Sequence, residues 1–148
     1  VWDEYLRHKV WRGLTTDEVA EPNVFAMDTV IAAYNESEEW LDALRQYLYD
    51  NKQIFYQYIR EHLPMVQVAE AEATYLLWLD MNQYQVSSED IVHQIRRETG
   101  LFISQGSLYK GNGDKFIRVN IACPRTVMMD GLNRLSQGLK TVERTDQC

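Results

Sequence analysis

A two-layer α+β fold, with helices packed on one side of a small, mainly antiparallel sheet, follows from three features of this 148-residue chain. Apolar residues recur at three-and-four spacing as far as Leu63. Beyond Pro64 the period falls to two. From there the elements run strand, strand, helix, strand, strand, helix, an order that gathers the helices on one face.

The elements follow in turn. Residues 1–12 carry Trp2, Tyr5, Leu6, Val10 and Trp11 among charges and predict an amphipathic helix ended by Gly13. Its apolar face needs a covering surface. Residues 14–22 are polar and close on a Glu21-Pro22 turn. Asn23 is placed to cap a helix to about Tyr34, with Phe25, Met27, Val30 and Ile31 as its apolar members. A longer helix runs from Asn35 or Ser37 to Leu63, with Asn35 and Glu38 at capping-box spacing. Leu41, Leu44, Leu48, Phe55, Tyr58 and Ile59 form its buried stripe, and Pro64 stops it. Tyr47, Tyr56 and Tyr58 read as amphipathic packing, with a ligand cage as the alternative.

Val66 and Val68 predict a short strand, and residues 74–80 an apolar strand buried on both faces or nearly so. Ser87 and Asp90 cap a helix to about Thr99, and Gly100 suits its left-handed C-terminal cap. Leu101 to Ile103 form a brief strand, followed by a glycine-rich loop over 104–114. Lys115 to Ala122 make the last strand, with Ile117, Val119 and Ile121 on one face and Phe116, Arg118 and Asn120 on the other. Pro124 opens the final helix, striped by Met128, Leu132, Leu135 and Leu139.

Composition excludes several classes. With 22 acidic against 15 basic residues the formal charge is −7, which opposes binding to a phosphate backbone. No apolar run is long enough to cross a bilayer, and no signal-peptide pattern opens the chain, so a cytoplasmic location is expected. Cys148, on the terminal tail, and Cys123 give no disulfide framework; Cys123 reads as a small packed residue, with a nucleophile as the alternative. His8, His62 and His93 lack ligand spacing, so no metal site is expected. Gly111-Asn112-Gly113 reads as a hairpin connection, with a phosphate cradle as the alternative. Hydrolase constellations are absent.

Arg118 stands out. A guanidinium on a half-buried strand face is costly unless it meets an anion, either a structural Asp or Glu or a bound carboxylate. Both readings stay open on spacing alone.

The string from Phe116 to Arg125, Phe-Ile-Arg-Val-Asn-Ile-Ala-Cys-Pro-Arg, resembles the C-terminal signature of fold-type I pyridoxal-phosphate (PLP) enzymes, the class I/II aminotransferase superfamily. In detail it is similar to the cystathionine β-lyase-like branch of C–S lyases. Residues 21–26, 39–42 and 74–80 agree in order and spacing, so the resemblance covers about residues 20–140. It implies that Arg118 binds the α-carboxylate of an amino-acid substrate, with Asn120 in a positioning role. It implies further that Asn23 and Phe25 belong to a segment near the dimer interface and the partner's active site. The implied parts are a remnant of the large PLP-binding domain over 1–34, the small domain over 35–143 and a tail over 144–148. Chemically, the parent is expected to perform β-elimination on cystathionine or cysteine-type substrates as a homodimer. A PLP-dependent aminotransferase and a non-catalytic amino-acid-binding or protein-interaction module are the alternatives.

Departures from the family pattern matter too. Tyr109-Lys110 stands where the family usually has Phe-Gly, and Ala73 where it commonly has glycine. None of Lys9, Lys52, Lys110, Lys115 and Lys140 sits in the Ser-x-x-Lys context of the Schiff-base lysine. The chain also starts at Val1, as a piece of a longer protein would. No catalytic residue and no bound PLP are therefore expected in the chain by itself.

Overall fold

The structure is a computed structural model that describes residues 2–17 and 22–145, with side chains as far as Val142. Val1, Glu21 of the expected turn, and residues 146–148 with Cys148 lie outside the described residues. The chain divides into two compact units, residues 1–43 and 44–148.

In the first unit, α1 (Glu4–Thr16) is capped by Asp3, whose Oδ1 accepts the Leu6 N–H at 2.8 Å. It runs through Gly13, where a stop was expected. A mid-helix glycine costs only about 1 kcal/mol relative to alanine, and the helix continues beyond it to Thr16. The sequence pattern mistook a tolerated residue for a terminator. Ahead of α2 (Ala26–Glu36), Asn23 builds a turn instead of a cap. Its Oδ1 accepts the Phe25 N–H at 2.9 Å, and Phe25 itself takes the cap position. Asn35 lies within α2, so its capping box with Glu38 does not form. No residue of α1 or α2 is buried.

The long helix α3 (Glu38–His62) has Phe55 and Ile59 buried as expected, whereas Leu41 is exposed. From Leu44 onward the second unit contains β1 (Gln67–Val68), β2 (Leu76–Asp80), α4 (Ser88–Thr99), β3 (Ser104–Gln105), β4 (Phe116–Asn120) and α5 (Arg125–Thr145). The sheet order is β1-β2-β4-β3, with every pairing antiparallel. Ser87 caps α4 by accepting the Asp90 N–H at 3.1 Å, and Gly100 closes it at φ +73°.

One apolar cluster holds the unit together. Leu77 and Leu79 of β2 and Ile117 of β4 pack with Phe55 and Ile59, with Ile91 and Ile95 of α4, and with Leu132, Leu135 and Leu139 of α5. Helices thus cover one sheet face. Alternation along β2 leaves Leu76, Trp78 and Asp80 half-buried on the opposite face, so this strand is not buried on both sides. Residues 101–103 form no ladder. Leu101 and Ile103 pack against the core from an irregular segment, and β3 starts only at Ser104.

Candidate functional site

β4 sets the site. Ile117 is buried, while Arg118 projects from the sheet face opposite the helices of this unit. Its cross-strand neighbours are Trp78 on β2 and Ser104 on β3. Because β3 pairs only with Ile117 and Arg118, the edge of β4 beyond that point stays open on this side. A cleft of about 470 Å³ occupies the gap, bounded by residues 101–104, by β4 from Arg118 onward and by the first half of α5. Phe102, Val127, Met128 and Leu132 make much of its wall apolar; Arg118, Ser104, Asn120 and Cys123 supply its polar groups.

Among the described residues, no carboxylate pairs with Arg118 and no acceptor takes its N–H groups; the arginines of the pairs Arg97–Glu98 and Arg134–Asp130 are engaged elsewhere. Its guanidinium carbon instead lies 4.5 Å from the centre of the Tyr109 ring. Tyr109 in turn meets Trp78 edge-on, at 5.2 Å between centroids and 83° between planes. Of the two fates open to a half-buried arginine, the internal ion pair is absent. A cation facing a partly apolar cleft with unspent donors remains.

The loop over 106–113 carries Tyr109 to this place. Gly106 and Gly113 touch back to back, so that a Cβ on Gly106 would lie 2.2 Å from the Gly113 carbonyl oxygen. Two 3-10 turns, Gly106–Tyr109 and Gly113–Lys115, flank the tip. Lys110 sits between them at φ +61° and ψ −168°, a region that glycine occupies and other residues avoid. The Gly111-Asn112-Gly113 segment therefore serves the connection between adjacent strands β3 and β4.

Other expected residues are placed as follows. The Asn120 Oδ1 accepts the Ala122 N–H at 2.8 Å, so Asn120 shapes the turn after β4 and does not bond to Arg118. Asn23 and Phe25 lie in the first unit, Phe25 with its ring exposed. Cys123 lines the cleft, and burial raises its thiol pKa, which opposes a nucleophilic role. Among the described residues, no lysine lines the cleft.

Two residues matter more than the sequence reading allowed. Asn51 of α3 is fully buried, and its Nδ2 donates to the carbonyls of Ile121 and Cys123, both at 3.2 Å. Its Oδ1 accepts from Arg125 Nε at 3.3 Å. The Tyr47 hydroxyl accepts the Arg125 N–H at 2.8 Å. Together they pin the turn that carries the chain from β4 into α5. The available signal was a polar Asn51 interrupting the apolar stripe between Leu48 and Phe55.

No protein-family model matches the chain. Among curated proteins it is 28% identical over 137 residues to cystathionine β-lyase PatB of Bacillus subtilis, covering 93% of this chain and 35% of that protein. To cystathionine β-lyase of Corynebacterium glutamicum it is 35% identical over 135 residues, covering 88% of this chain and 34% of that protein. The chain is a homologue of the cystathionine β-lyases. It spans about a third of the length of the curated relatives it matches. In structure, a PLP-bound protein from Clostridium difficile described as an aminotransferase superposes with a TM-score of 0.88 at 28% identity, over 93% of this chain and 36% of that one. A PLP-bound C–S lyase from Staphylococcus hominis superposes with a TM-score of 0.75 at 29% identity, over 86% of this chain and 34% of that one. Both comparisons thus point to PLP-dependent enzymes of the aminotransferase fold, and the Arg118 cleft lies within the matched region.

Proposed function

We propose that this chain is the substrate-carboxylate-binding domain of a PLP-dependent carbon–sulfur β-lyase that acts on cystathionine or a related cysteine-type amino acid as a cytoplasmic homodimer. The observation that carries this reading is Arg118. It is a cation on an inner strand of the sheet, lying over the Tyr109 ring, without a protein anion among the described residues, and lining a partly apolar cleft. Homology to cystathionine β-lyases supports the reaction class.

Whether the cleft could also hold the cofactor is answered by its donors. Among the described residues it offers one guanidinium and no lysine, so these residues fit the carboxylate end of an amino acid and do not fit attachment of PLP. Cofactor attachment is then expected from polypeptide outside this chain. The work of this chain is binding and orientation. A planar fork holds a carboxylate at two points and fixes rotation about the bond to Cα, so the bond to be broken presents one face consistently. Apolar side chains at residues 102, 127 and 128 line the approach to that contact. Asn51 and Tyr47 lock the backbone just beyond β4, so the strand bearing Arg118 is held in register.

The balanced reaction converts cystathionine and one water into homocysteine, pyruvate and ammonia. The test is an assay of the full-length PLP-loaded protein with cystathionine and no keto acid. Release of thiol and pyruvate in equal amounts is expected. No release, with amino-group transfer when a keto acid is added, would overturn the lyase reading in favour of an aminotransferase using the same carboxylate grip.

A further inference from the structure

Arg118 is not held by a hydrogen bond to any described residue, yet a two-point grip requires its guanidinium to be oriented before substrate arrives. The structure offers one device that does this. Tyr109 covers the guanidinium at 4.5 Å and is itself braced edge-on by Trp78 at 5.2 Å. Trp78 and Arg118 are cross-strand partners, so all three groups share the sheet face opposite the helices of the second unit.

The backbone beneath Tyr109 is built at a cost. The next residue, Lys110, occupies a glycine-type conformation, and the loop is pinched where Gly106 meets Gly113 without room for a Cβ on either. Conformations of this kind persist where the surroundings over-determine them, and they gather at ligand sites. A ring that served only to fill space would not need such a loop, since Tyr109 is 45% exposed and outside the apolar core.

We propose that Tyr109 is a positioning residue for Arg118: its ring face holds the guanidinium plane so that the N–H edge is presented to the substrate carboxylate. This rests on the carboxylate-binding reading of Arg118 and deepens it. The interaction belongs to the ring face and not to the hydroxyl, because attraction of a cation to an aromatic face needs no phenol. Selectivity for a carboxylate over an uncharged group is then set partly by a residue that need not touch the substrate.

The test uses the full-length PLP-loaded protein and the ratio of the dissociation constants of L-alaninamide and L-alanine, measured by titration calorimetry. The two probes differ at the carboxylate, so the ratio reads the guanidinium contact and not overall fold or turnover. Tyr109→Leu is expected to lower the ratio about threefold to tenfold, the range for loss of one cation–ring contact. Tyr109→Phe is expected to keep it. Arg118→Met is expected to lower it further than either. If Tyr109→Leu leaves the ratio unchanged while Arg118→Met collapses it, the positioning role is overturned and the carboxylate site stands. An unchanged ratio in Arg118→Met overturns the carboxylate site, and this inference with it. If Tyr109→Phe falls as far as Tyr109→Leu, the hydroxyl carries the effect and the ring-face proposal fails. Should Tyr109→Leu not fold, Tyr109→Met, close to it in bulk, is read in its place with the same outcomes.

Discussion

Replacing Gly106 with alanine drives a methyl into two main-chain oxygens at once. The added carbon would sit 2.2 Å from the carbonyl oxygen of Gly113 and 2.5 Å from that of Phe116. Ordinary contact between heavy atoms needs about 3.5 Å, so the loop must open by roughly 1 Å. Neither obstacle is the end of a flexible side chain, which places the cost near the upper end of the range for overpacking, about 3 kcal/mol. Hydrogen exchange read by mass spectrometry on the full-length protein measures it locally. Amides reporting on this loop include those of Lys110 and Gly113, which donate within it to Ser107 and Lys110. A local loss of that size speeds their exchange about a hundredfold. Gly111→Ala is the control: nothing lies within 4 Å of its Cβ position, and only its φ of +63° resists substitution. It should cost about 1 kcal/mol and speed exchange about fivefold. Equal exchange in Gly106→Ala and Gly111→Ala would refute the steric pinch.

Lys110→Gly should stabilise the same loop by about 1 kcal/mol, seen as slower exchange, because it relieves a backbone conformation costly for any side chain. Thr74→Gly should act the same way before β2, since a β-branched residue at φ +71° is a genuine outlier. Asn51→Leu should destabilise by about 2–4 kcal/mol in denaturant titration, because it leaves the Ile121 and Cys123 carbonyls and Arg125 Nε without their buried partner. Cys123 should react with iodoacetamide at pH 7.5 more slowly than free cysteine, as followed by peptide mapping. Its pKa is raised by burial, so less thiolate is present at that pH and reactivity climbs only at higher pH.

How much the sequence disclosed depends on which residues decided each feature. The caps at Ser87 and Gly100 are local chemistry, and both stand as their residue types demand. The facing of β4 is set by a period of two, so the placement of Arg118 on the face away from Ile117 was readable before any coordinates. Leu101 to Ile103 look like a strand because they are apolar and brief. They pack instead as irregular backbone, since β3 need only reach the part of β4 that Ser104 and Gln105 meet. β2 looked buried on both faces because Trp78 is large and apolar. Its outer face is covered by a tyrosine from a distant loop, a contact that no periodicity encodes. The role of Asn51 was hidden for a similar reason: its partners lie 70 or more residues away.

The account turns on where an amino acid's carboxylate binds. A crystal structure of the full-length PLP-loaded protein with a bound amino acid tests it most directly. Both carboxylate oxygens are expected about 2.7–2.9 Å from Arg118 guanidinium nitrogens, the spacing of a charge-assisted two-point pair. A carboxylate bound elsewhere, with Arg118 turned onto an aspartate or glutamate of the protein, would contradict it.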